Sequence, residues 1–429
     1  VTSVNFVPLW CIFTTKTQRN TNKDMQVILE NLYKAYFEAR KNKRFTKEQQ
    51  KFEQNYEHQL QVLYEQIIAK TYKVAPCKAF VIEKPVYREV FAPQFIDRVV
   101  HHFVVQYISQ EVEKLLIQDC YSCRTGKGTL YGIERAKYNM RSVTQNYAKD
   151  AYILKLDVSG YFMNMNTTLL YNQIQEFKLV ENLCCSSFEK EILHFLLQEI
   201  IFTNPIHQCI VVGKKALWQY IPKNKSLFHS PPDCGLPIGN YTSQIFGNVY
   251  LNAFDHWVKN DLGIKHYGRY VDDMYFMHTD NVFLKQCIPI ITQKMKNYGM
   301  EIHPKKIYFQ HYTKGIHFLG RYIKPYRTYV SSRTKNNFLQ MIQRMEKDLE
   351  KGYDYLLEQM LLPYYLSCFN SYMGFFTKAN SYTLIKKVVS QLSGNFYTYY
   401  FIVKKGVQWK CKLKKVFKNN GSILQPACI

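Results

Sequence analysis

The sequence predicts an α+β protein, and two acid-bearing stretches carry this prediction. Residues 268–277 place apolar and aromatic side chains on both sides of two adjacent carboxylates, Asp272 and Asp273, as a strand–turn–strand does. Residues 152–158 form a short apolar run that contains a third carboxylate, Asp157. Elsewhere apolar residues recur at the spacing of helices that are buried on one face. The chain therefore combines strands and helices.

The three carboxylates predict a site for divalent cations. Asp is also a common turn residue, and that explanation would suffice for the adjacent pair alone. A charged residue inside an apolar run, however, is rare unless it is paired or binds a metal. Strands that bring Asp157 and Asp272 to one sheet edge would suit Mg²⁺, which takes one or two carboxylates plus substrate phosphates. Two such ions, about 4 Å apart, stabilise the attacking and leaving oxygens of a phosphoryl transfer.

The same residues resemble two motifs of reverse transcriptases. Residues 270–273 (YVDD) are similar to motif C, and residues 156–162 (LDVSGYF) are similar to motif A. The resemblance covers residues 20 to 400, with the motifs in the family's order. It implies a right-hand polymerase fold with fingers, a palm whose antiparallel sheet carries the acidic site, and a helical thumb.

The resemblance also implies an activity, RNA-directed DNA polymerisation with two Mg²⁺ ions. Asp157 and Asp272 would bind the ions, the backbone carbonyl of Val158 would add a ligand, and Asp273 would be a third, supporting acid. The expected partners are a template RNA, the cDNA or primer strand and dNTPs. A rival of another class is a scaffold that binds RNA without catalysis. An RNA polymerase on the same palm is a further alternative.

Composition favours a polyanionic partner. The 429 residues carry a formal net charge of +24, and each phosphate that such a surface neutralises releases counterions. No stretch is long and apolar enough to span a membrane, and no secretory signal is visible, so we expect a cytoplasmic protein. The 12 cysteines are scattered, which is typical of reduced thiols. Cys120 and Cys123 lack the second pair of a zinc site.

Residues 1–150 are expected to form amino-terminal helices and the fingers. Apolar spacing predicts one helix around residues 25–36 and another around residues 60–68. By the resemblance, Arg88 and Arg98 match two basic positions that hold the incoming triphosphate, a role that suits the planar guanidinium. Either arginine alone could equally be an ordinary surface residue.

Further nucleotide contacts are assigned by the resemblance. Phe162 matches the residue that fills the space of a ribose 2′-hydroxyl, which implies a preference for deoxynucleotides; the alternative is an aromatic packed in the palm core. Residues 235–244 (GLPIGNYTSQ) resemble the turn and helix that support the nucleotide, with contacts from Ile238, Gly239 and Gln244. The helix is expected to continue to about Val258.

One variation in this motif indicates a subtype. Most reverse transcriptases have Gln before the second glycine and Ser-Pro later, whereas this chain has Ile238 and then Ser243-Gln244. This variant resembles the reverse transcriptases of diversity-generating retroelements, which copy RNA and misincorporate opposite adenine. Such enzymes act with a small basic accessory protein. The rivals are the similar enzymes of retrons or of phage defence, which neighbouring genes would distinguish.

The palm is expected to span residues 151–325. Residues 303–306 (HPKK) resemble motif D, in which we assign Lys306, in preference to Lys305, as the proton donor to the leaving pyrophosphate. The primer-grip hairpin is expected at residues 315–322, with these residues at its centre: Phe318, Leu319 and Gly320. The proline-containing segment 203–235 is irregular and receives no role.

Residues 326–429 are expected to form the helical thumb and a basic carboxyl-terminal tail. Apolar and aromatic residues recur at helical spacing from Met341 to Phe375. Between residues 404 and 418 seven lysines occur with no acid, next to Trp409 and Phe417. Lysines beside aromatics favour contact with nucleic acid, and a solvated tail is the alternative.

Overall fold

The structure, a computed structural model, describes residues 16–41, 46–83 and 86–417, with side chains from residue 23 onward. The described helices are α1 (Lys16–Arg40), α2 (Lys47–Glu53), α3 (Tyr56–Ile68), α4 (Phe95–Leu115), α5 (Thr129–Val143), α6 (Thr167–Glu176), α7 (Ser187–Phe202), α8 (Tyr241–Tyr250), α9 (Asn252–Asn260), α10 (Asn281–Lys296), α11 (Ser332–Leu349), α12 (Tyr353–Glu358), α13 (Leu361–Thr377), α14 (Tyr382–Ser390) and α15 (Gly394–Tyr399). The described strands are β1 (Lys78–Ile82), β2 (Arg88–Ala92), β3 (Tyr152–Ser159), β4 (Ile210–Val211), β5 (His266–Tyr270), β6 (Asp273–His278), β7 (Glu301–Ile302), β8 (Tyr308–His311), β9 (Ile316–Phe318), β10 (Arg321–Lys324), β11 (Arg327–Val330), β12 (Tyr400–Lys405) and β13 (Gln408–Leu413).

The amino-terminal helices form one layer of the largest hydrophobic core. α1 packs against α4 and α3, and its residues Ile28 and Leu32 are fully buried. Leu60 and Leu63 of α3 are buried in the same cluster. The two helices predicted here are confirmed, because their apolar residues do share one buried face. This layer supports the strands that follow it.

A small sheet lies after these helices. β1 pairs with β2 in antiparallel register and with β4 in parallel register. β4 belongs to the segment 203–235, which was predicted to be irregular; it also contains short 3-10 helices at residues 205–207, 215–220, 223–225 and 227–229. The segment is therefore folded against β1 and β2, and its structure depends on partners that are distant in the sequence.

The central sheet carries the three predicted carboxylates. Its order is β5-β6-β3-β7, and β8 also pairs with β3. β3 lies between antiparallel neighbours, and its residues Leu154, Leu156 and Val158 are buried in the main core. Asp157 lies on the alternate face of the strand, opposite Asp273 of β6. The strand at 152–158 and the hairpin at 268–277 are thus confirmed.

One predicted helix is divided. We expected a single helix from the 235–244 motif to about Val258, but α8 ends at Tyr250 and α9 begins at Asn252. The interruption is at Leu251, whose backbone angles (φ −101°, ψ 13°) are not helical. Both helices keep their apolar residues in the main core, so the apolar spacing gave no sign of the interruption.

The carboxyl-terminal region has its own hydrophobic core, built from α11 to α15 and a hairpin. β12 pairs with β13 and packs on α13, with Cys411 buried and Trp409 partly buried. The prediction of a basic tail is therefore wrong for residues up to 417, because the lysines there alternate with apolar residues along paired strands. Lys418 lies outside the described residues. Within the described residues, no helix has the length and apolarity needed to cross a membrane.

Candidate active site

The central sheet brings the acids of β3 and the β5–β6 turn together. Asp157 is the register partner of Asp273, and the Val158 N–H donates to the carbonyl of Asp272 at 3.1 Å. Between β5 and β6, Val271 adopts a left-handed conformation (φ 55°), which makes the turn tight. Asp157 and Asp272 both line a cavity of about 350 Å³. Two carboxylates that are 115 residues apart in the sequence therefore share one site.

The three acids differ in their electrostatic environment. Burial, and then the neighbouring charge of Asp157, raise the pKa of Asp272. Burial raises the pKa of Asp273 to about 7, although the ammonium of Lys155, 3.0 Å from its Oδ1, acts in the opposite direction. Asp157 accepts a hydrogen bond from Lys306 Nζ at 2.7 Å. Asp273 faces Lys155 and does not line the cavity, so the cavity contains two acids and not three.

The cavity suits a hard divalent cation. Asp157 and Asp272 offer oxygen ligands. Burial and then the charge of Asp157 raise the pKa of Asp272, and a positive ion beside the two partly exposed carboxylates would offset both effects. Within the described residues there is no group of three or more Asp, Glu, His or Cys side chains that could hold a metal. Mg²⁺ commonly takes only one or two protein carboxylates and completes its shell with water and substrate phosphates.

The two predicted arginines are placed differently. Arg88, at the start of β2, lines the cavity together with its neighbour Tyr87. Arg98 lies half-buried in the first turn of α4, where its Nε donates to the carbonyl of Pro93 at 3.2 Å. It does not line the cavity. The structure thus brings one of the two arginines to the acids.

The turn before α8 forms another side of the cavity. Phe162 and Ile238 both line it, and the carbonyl of Phe162 accepts a hydrogen bond from the Leu236 N–H at 2.8 Å. The carbonyl of Ile238 accepts from the Phe91 N–H at 2.7 Å. Gly239 has a φ of 133°, and a Cβ there would lie 2.3 Å from the Phe91 carbonyl oxygen. Glycine is therefore required where this turn meets β2.

The remaining predicted contacts lie away from the cavity. Gln244 is exposed on α8, with its Oε1 2.9 Å from Cys123 Sγ. Phe318 is fully buried and packs edge-on against Tyr275, behind the acid-bearing hairpin. Leu319 and Gly320 form the left-handed turn between β9 and β10, with φ angles of 50° and 77°. None of these residues lines the cavity.

Comparison with known families identifies the protein class. A family model described as "Reverse transcriptase (RNA-dependent DNA polymerase)" matches residues 82–323, which are 242 of the 429 residues. The chain belongs to the reverse transcriptase family. The match includes both acid-bearing strands, the 235–244 turn and most of the β9–β10 hairpin. The α+β architecture is accordingly the right-hand fold of these polymerases.

Solved structures similar to this reverse transcriptase include yeast telomerases. The structure of Candida albicans telomerase with a TWJ fragment of telomeric RNA has 15% identity and a TM-score of 0.45, over 75% of this chain and 60% of that chain. Candida tropicalis telomerase with a TWJ fragment has 11% identity and a TM-score of 0.46, over 75% and 56% of the two chains. This chain therefore spans about 60% of the length of these telomerases or less. A search of curated proteins gave no match.

Several cavity residues of this reverse transcriptase were not assigned by sequence reasoning, among them a lysine, a histidine and a tyrosine. Lys225 lies in the segment that had no assigned role, His303 is the first residue of the motif at 303–306, and Tyr87 directly precedes Arg88. Lysine, histidine and tyrosine are common on surfaces, and their own local patterns do not distinguish a cavity wall from a solvated face. Their position depends on how distant segments meet.

A buried ion pair beneath the hairpin was also missed. Arg269 and Asp255 are both fully buried, and three guanidinium–carboxylate hydrogen bonds of 2.8, 3.1 and 2.6 Å join them. Tyr267 donates to the same carboxylate at 2.6 Å, and Arg269 donates to Tyr161 at 3.0 Å. Arg269 lies in β5, two residues before Val271 of the turn, so this pair fixes the strand that presents Asp272.

Proposed function

We propose that the protein is an RNA-directed DNA polymerase that extends a DNA strand by nucleotidyl transfer. The observation that carries this proposal is the placement of Asp157 and Asp272 in one cavity with Arg88, Phe162 and Ile238. Paired acids for divalent ions, a cation for phosphates and an apolar wall for a base and sugar are the parts that nucleotide addition requires. Template RNA, a primer or cDNA strand and dNTPs are the proposed partners.

Six of the residues that line the cavity have a proposed task in catalysis or nucleotide binding. Asp157, Asp272 and the Val158 carbonyl would hold two Mg²⁺ ions, which stabilise charge on the attacking and leaving oxygens. Arg88 orients the triphosphate through the donors of its guanidinium. Lys306, which lines the same cavity, donates a proton to the leaving pyrophosphate. Phe162 occupies the space of a 2′-hydroxyl, so we expect dNTPs to be incorporated in preference to rNTPs.

Primer extension by an Asp272→Asn variant tests the enzyme assignment. Asn keeps the shape of the side chain but removes the charge that holds a divalent ion, so we expect DNA synthesis to fall by about 10³-fold or more. The matched control is Asp261→Asn, an exposed carboxylate at the end of α9, which should leave synthesis unchanged. Full activity in the Asp272 variant would show that the catalytic assignment of this carboxylate is wrong. A parent protein that binds RNA but makes no DNA would favour the RNA-binding scaffold.

We further propose that copying is error-prone at template adenines, as in diversity-generating retroelements. The support is Ile238, an apolar residue that lines the nucleotide cavity where most family members have an amide. An Ile side chain offers no hydrogen bonds near the nascent base pair, so correct and incorrect pairs are distinguished less sharply. Arg98, Gly239, Gln244 and the primer-grip residues remain proposed contacts for bound nucleic acid or nucleotide.

An Ile238→Gln variant tests this subtype. Copying a defined RNA and sequencing the cDNA should give fewer errors opposite adenine than the parent enzyme gives. Ile290→Gln, at an exposed position of α10 outside the cavity, is the control and should leave errors unchanged. Equal error rates in the parent and the Ile238 variant would reject the role of this residue.

The wider context of the enzyme is also a proposal. We propose fingers within residues 1–150, a palm at 151–325 and a thumb at 326–429, and a small basic accessory protein as a partner. The ten cysteines in the described part of the chain are free thiols, which supports a reducing, cytoplasmic environment.

A further inference from the structure

Residues 205–230, here called the bridging segment, pack along one face of β2 and the residue before it. Positions 87, 89 and 91 alternate toward the segment, as side chains on one face of an extended chain do. The ring of Tyr87 stacks on Tyr220 with centroids 4.9 Å apart, and Phe91 contacts Phe228 at 5.7 Å. The middle position, Glu89, makes the polar contacts that fix the segment.

Glu89 is a fully buried carboxylate that is held by donors from the bridging segment. Its Oε2 accepts hydrogen bonds from Trp218 Nε1 at 3.1 Å and from Ser226 Oγ at 2.8 Å, and its Oε1 accepts from the Leu227 N–H. Within the described residues no cation lies at ion-pair distance from it. A buried carboxylate is costly unless such donors satisfy it, so these bonds tie the segment to β2.

The bridging segment also contacts the turn that follows Asp157. Asn224 Nδ2 donates to Ser159 Oγ at 2.9 Å. Gly160 has a φ of 56°, and a Cβ at this position would lie 2.5 Å from the Asn224 carbonyl oxygen. The segment therefore contacts both β3 and β2. Asn224 bonds Ser159 of β3 and Ser226 bonds Glu89 of β2, and these two residues flank Lys225.

Lys225 lies between the two attached residues, Asn224 and Ser226, and these attachments place it at the cavity. Its side chain lines the cavity with Asp157, Asp272 and Arg88. In the part of the chain that the structure describes, no carboxylate lies within ion-pair distance of its ammonium, whereas Lys306 is paired with Asp157. A lysine on a fixed turn beside an acid pair that binds cations offers a point charge for phosphate oxygens.

We propose that the bridging segment is a wall of the nucleotide cavity and that Lys225 binds a phosphate group of the incoming dNTP. This inference rests on the proposed polymerase function. It gives residues 205–230, which sequence reasoning left without a role, a part in substrate binding. Glu89 is then a positioning residue, since it acts on the nucleotide only through the segment that carries Lys225.

Steady-state kinetics with a Lys225→Ala variant tests the contact. Loss of one charge-assisted hydrogen bond should raise the KM for dNTP about tenfold while kcat changes little, because a contact to the unreacting phosphates is present before and during the reaction. Lys225→Arg should recover most of the affinity. The matched control is Lys223→Ala, an exposed lysine of the same short 3-10 helix that does not line the cavity.

The possible outcomes separate this inference from the polymerase proposal. If the parent enzyme makes no DNA, the polymerase function itself fails. If the parent is active and Lys225→Ala has an unchanged KM for dNTP, the inference alone is overturned. A raised KM for primer–template with an unchanged KM for dNTP also overturns it, since Lys225 would then contact the nucleic-acid backbone.

A double-mutant cycle with Glu89→Gln tests the positioning role. The side chain of Gln is neutral and has one acceptor oxygen, so it cannot replace the carboxylate that accepts from three donors. The segment should therefore loosen, and the KM for dNTP should rise when Lys225 is present. In the Lys225→Ala background the same change should add little to KM, because the contact that Glu89 positions is already lost. Additive effects on KM would contradict positioning through Lys225.

Discussion

Two groups of charged side chains flank the β5–β6 hairpin, and they differ in how many protein partners their charged atoms bond. Beneath the hairpin, Arg269 and Asp255 have no exposed side-chain surface and are joined by three hydrogen bonds. The Tyr267 hydroxyl also donates to Asp255, and Arg269 donates to the Tyr161 hydroxyl. At the tip, Asp157 and Lys306 retain side-chain exposures of 19% and 37% and share one contact. Asp272, next to them, lines the open cavity.

This difference indicates that one group of charges around the hairpin stabilises the fold, whereas the other is available to a ligand. Protein groups already bond the charged atoms of the buried pair. The pair is therefore not available to a ligand and serves to hold β5 in place. Among the described residues, Lys306 is the side chain that donates to Asp157 and no side chain donates to Asp272, so a substrate or ion can use the remaining carboxylate oxygens. Saturation by partners, and not the presence of an acid in a strand, is what distinguishes the two groups.

The largest expected effect, apart from that at the proposed catalytic acids, comes from breaking the Arg269–Asp255 pair. Arg269→Met leaves the Asp255 carboxylate buried and uncompensated, so we expect the free energy of unfolding to fall by about 3–5 kcal/mol. Urea denaturation measures this change. The double variant Arg269→Met/Asp255→Leu should regain much of the loss, since the stranded charge is gone. A single variant that loses less than about 1 kcal/mol would show that the pair does not hold the strand.

The opposite result is expected from the unsaturated group. Lys306→Ala should lower kcat by about 10²–10³-fold, the size of one general acid, while the free energy of unfolding stays nearly constant because the pair is partly exposed. Lys305→Ala, the exposed neighbour in the same short helix, is the matched control. If both lysine variants retain the parent's kcat, the assignment of Lys306 as proton donor is wrong.

The features that could be predicted from the sequence were local ones. The strand at Asp157 and the hairpin at Asp272 follow from a few consecutive residues whose apolar pattern permits little else. The helices α1 and α3 have strong apolar spacing, and the structure confirms them. The motif resemblance added residue roles that no pattern of a single segment could supply, and Arg88, Phe162 and Ile238 do line the cavity.

The features that could not be predicted depend on partners far apart in the chain. Arg98 matched a basic position of the family, yet it donates to Pro93 at the start of its own helix. Lys225 reaches the cavity because Glu89, which is 136 residues earlier, holds the segment around it. The hairpin β12–β13 was interpreted as a tail because its many lysines drew attention away from the apolar residues between them. Those apolar residues alternate along the strands and pack on α13.

A further carboxylate sharpens the comparison, because it is buried and none of the described residues forms an ion pair with it. Asp97, in the first turn of α4, accepts hydrogen bonds from the Tyr72 hydroxyl at 2.7 Å and from the Ala75 N–H at 3.4 Å. Burial raises its pKa from 3.8 to about 6, against the effect of these donors. In the part of the chain that the structure describes, it has no oppositely charged partner, unlike Asp255, and it does not line the cavity, unlike Asp272. Its ionisation should therefore cost stability.

The sign of the pH dependence follows from the raised pKa. Below pH 4 the carboxyl is protonated in both the folded and unfolded chain and imposes no penalty; between about pH 4 and 6 the folded chain holds the proton more tightly, so stability falls as pH rises. Asp97→Asn cannot ionise, so its stability relative to the parent should increase by about 2–3 kcal/mol from pH 4 to pH 7. Urea denaturation of both proteins at several pH values measures this difference, with Asp261→Asn as the exposed control. A difference that stays constant across this range would mean that Asp97 ionises as readily in the folded chain as in the unfolded one, and that its burial is relieved by water or by a cation.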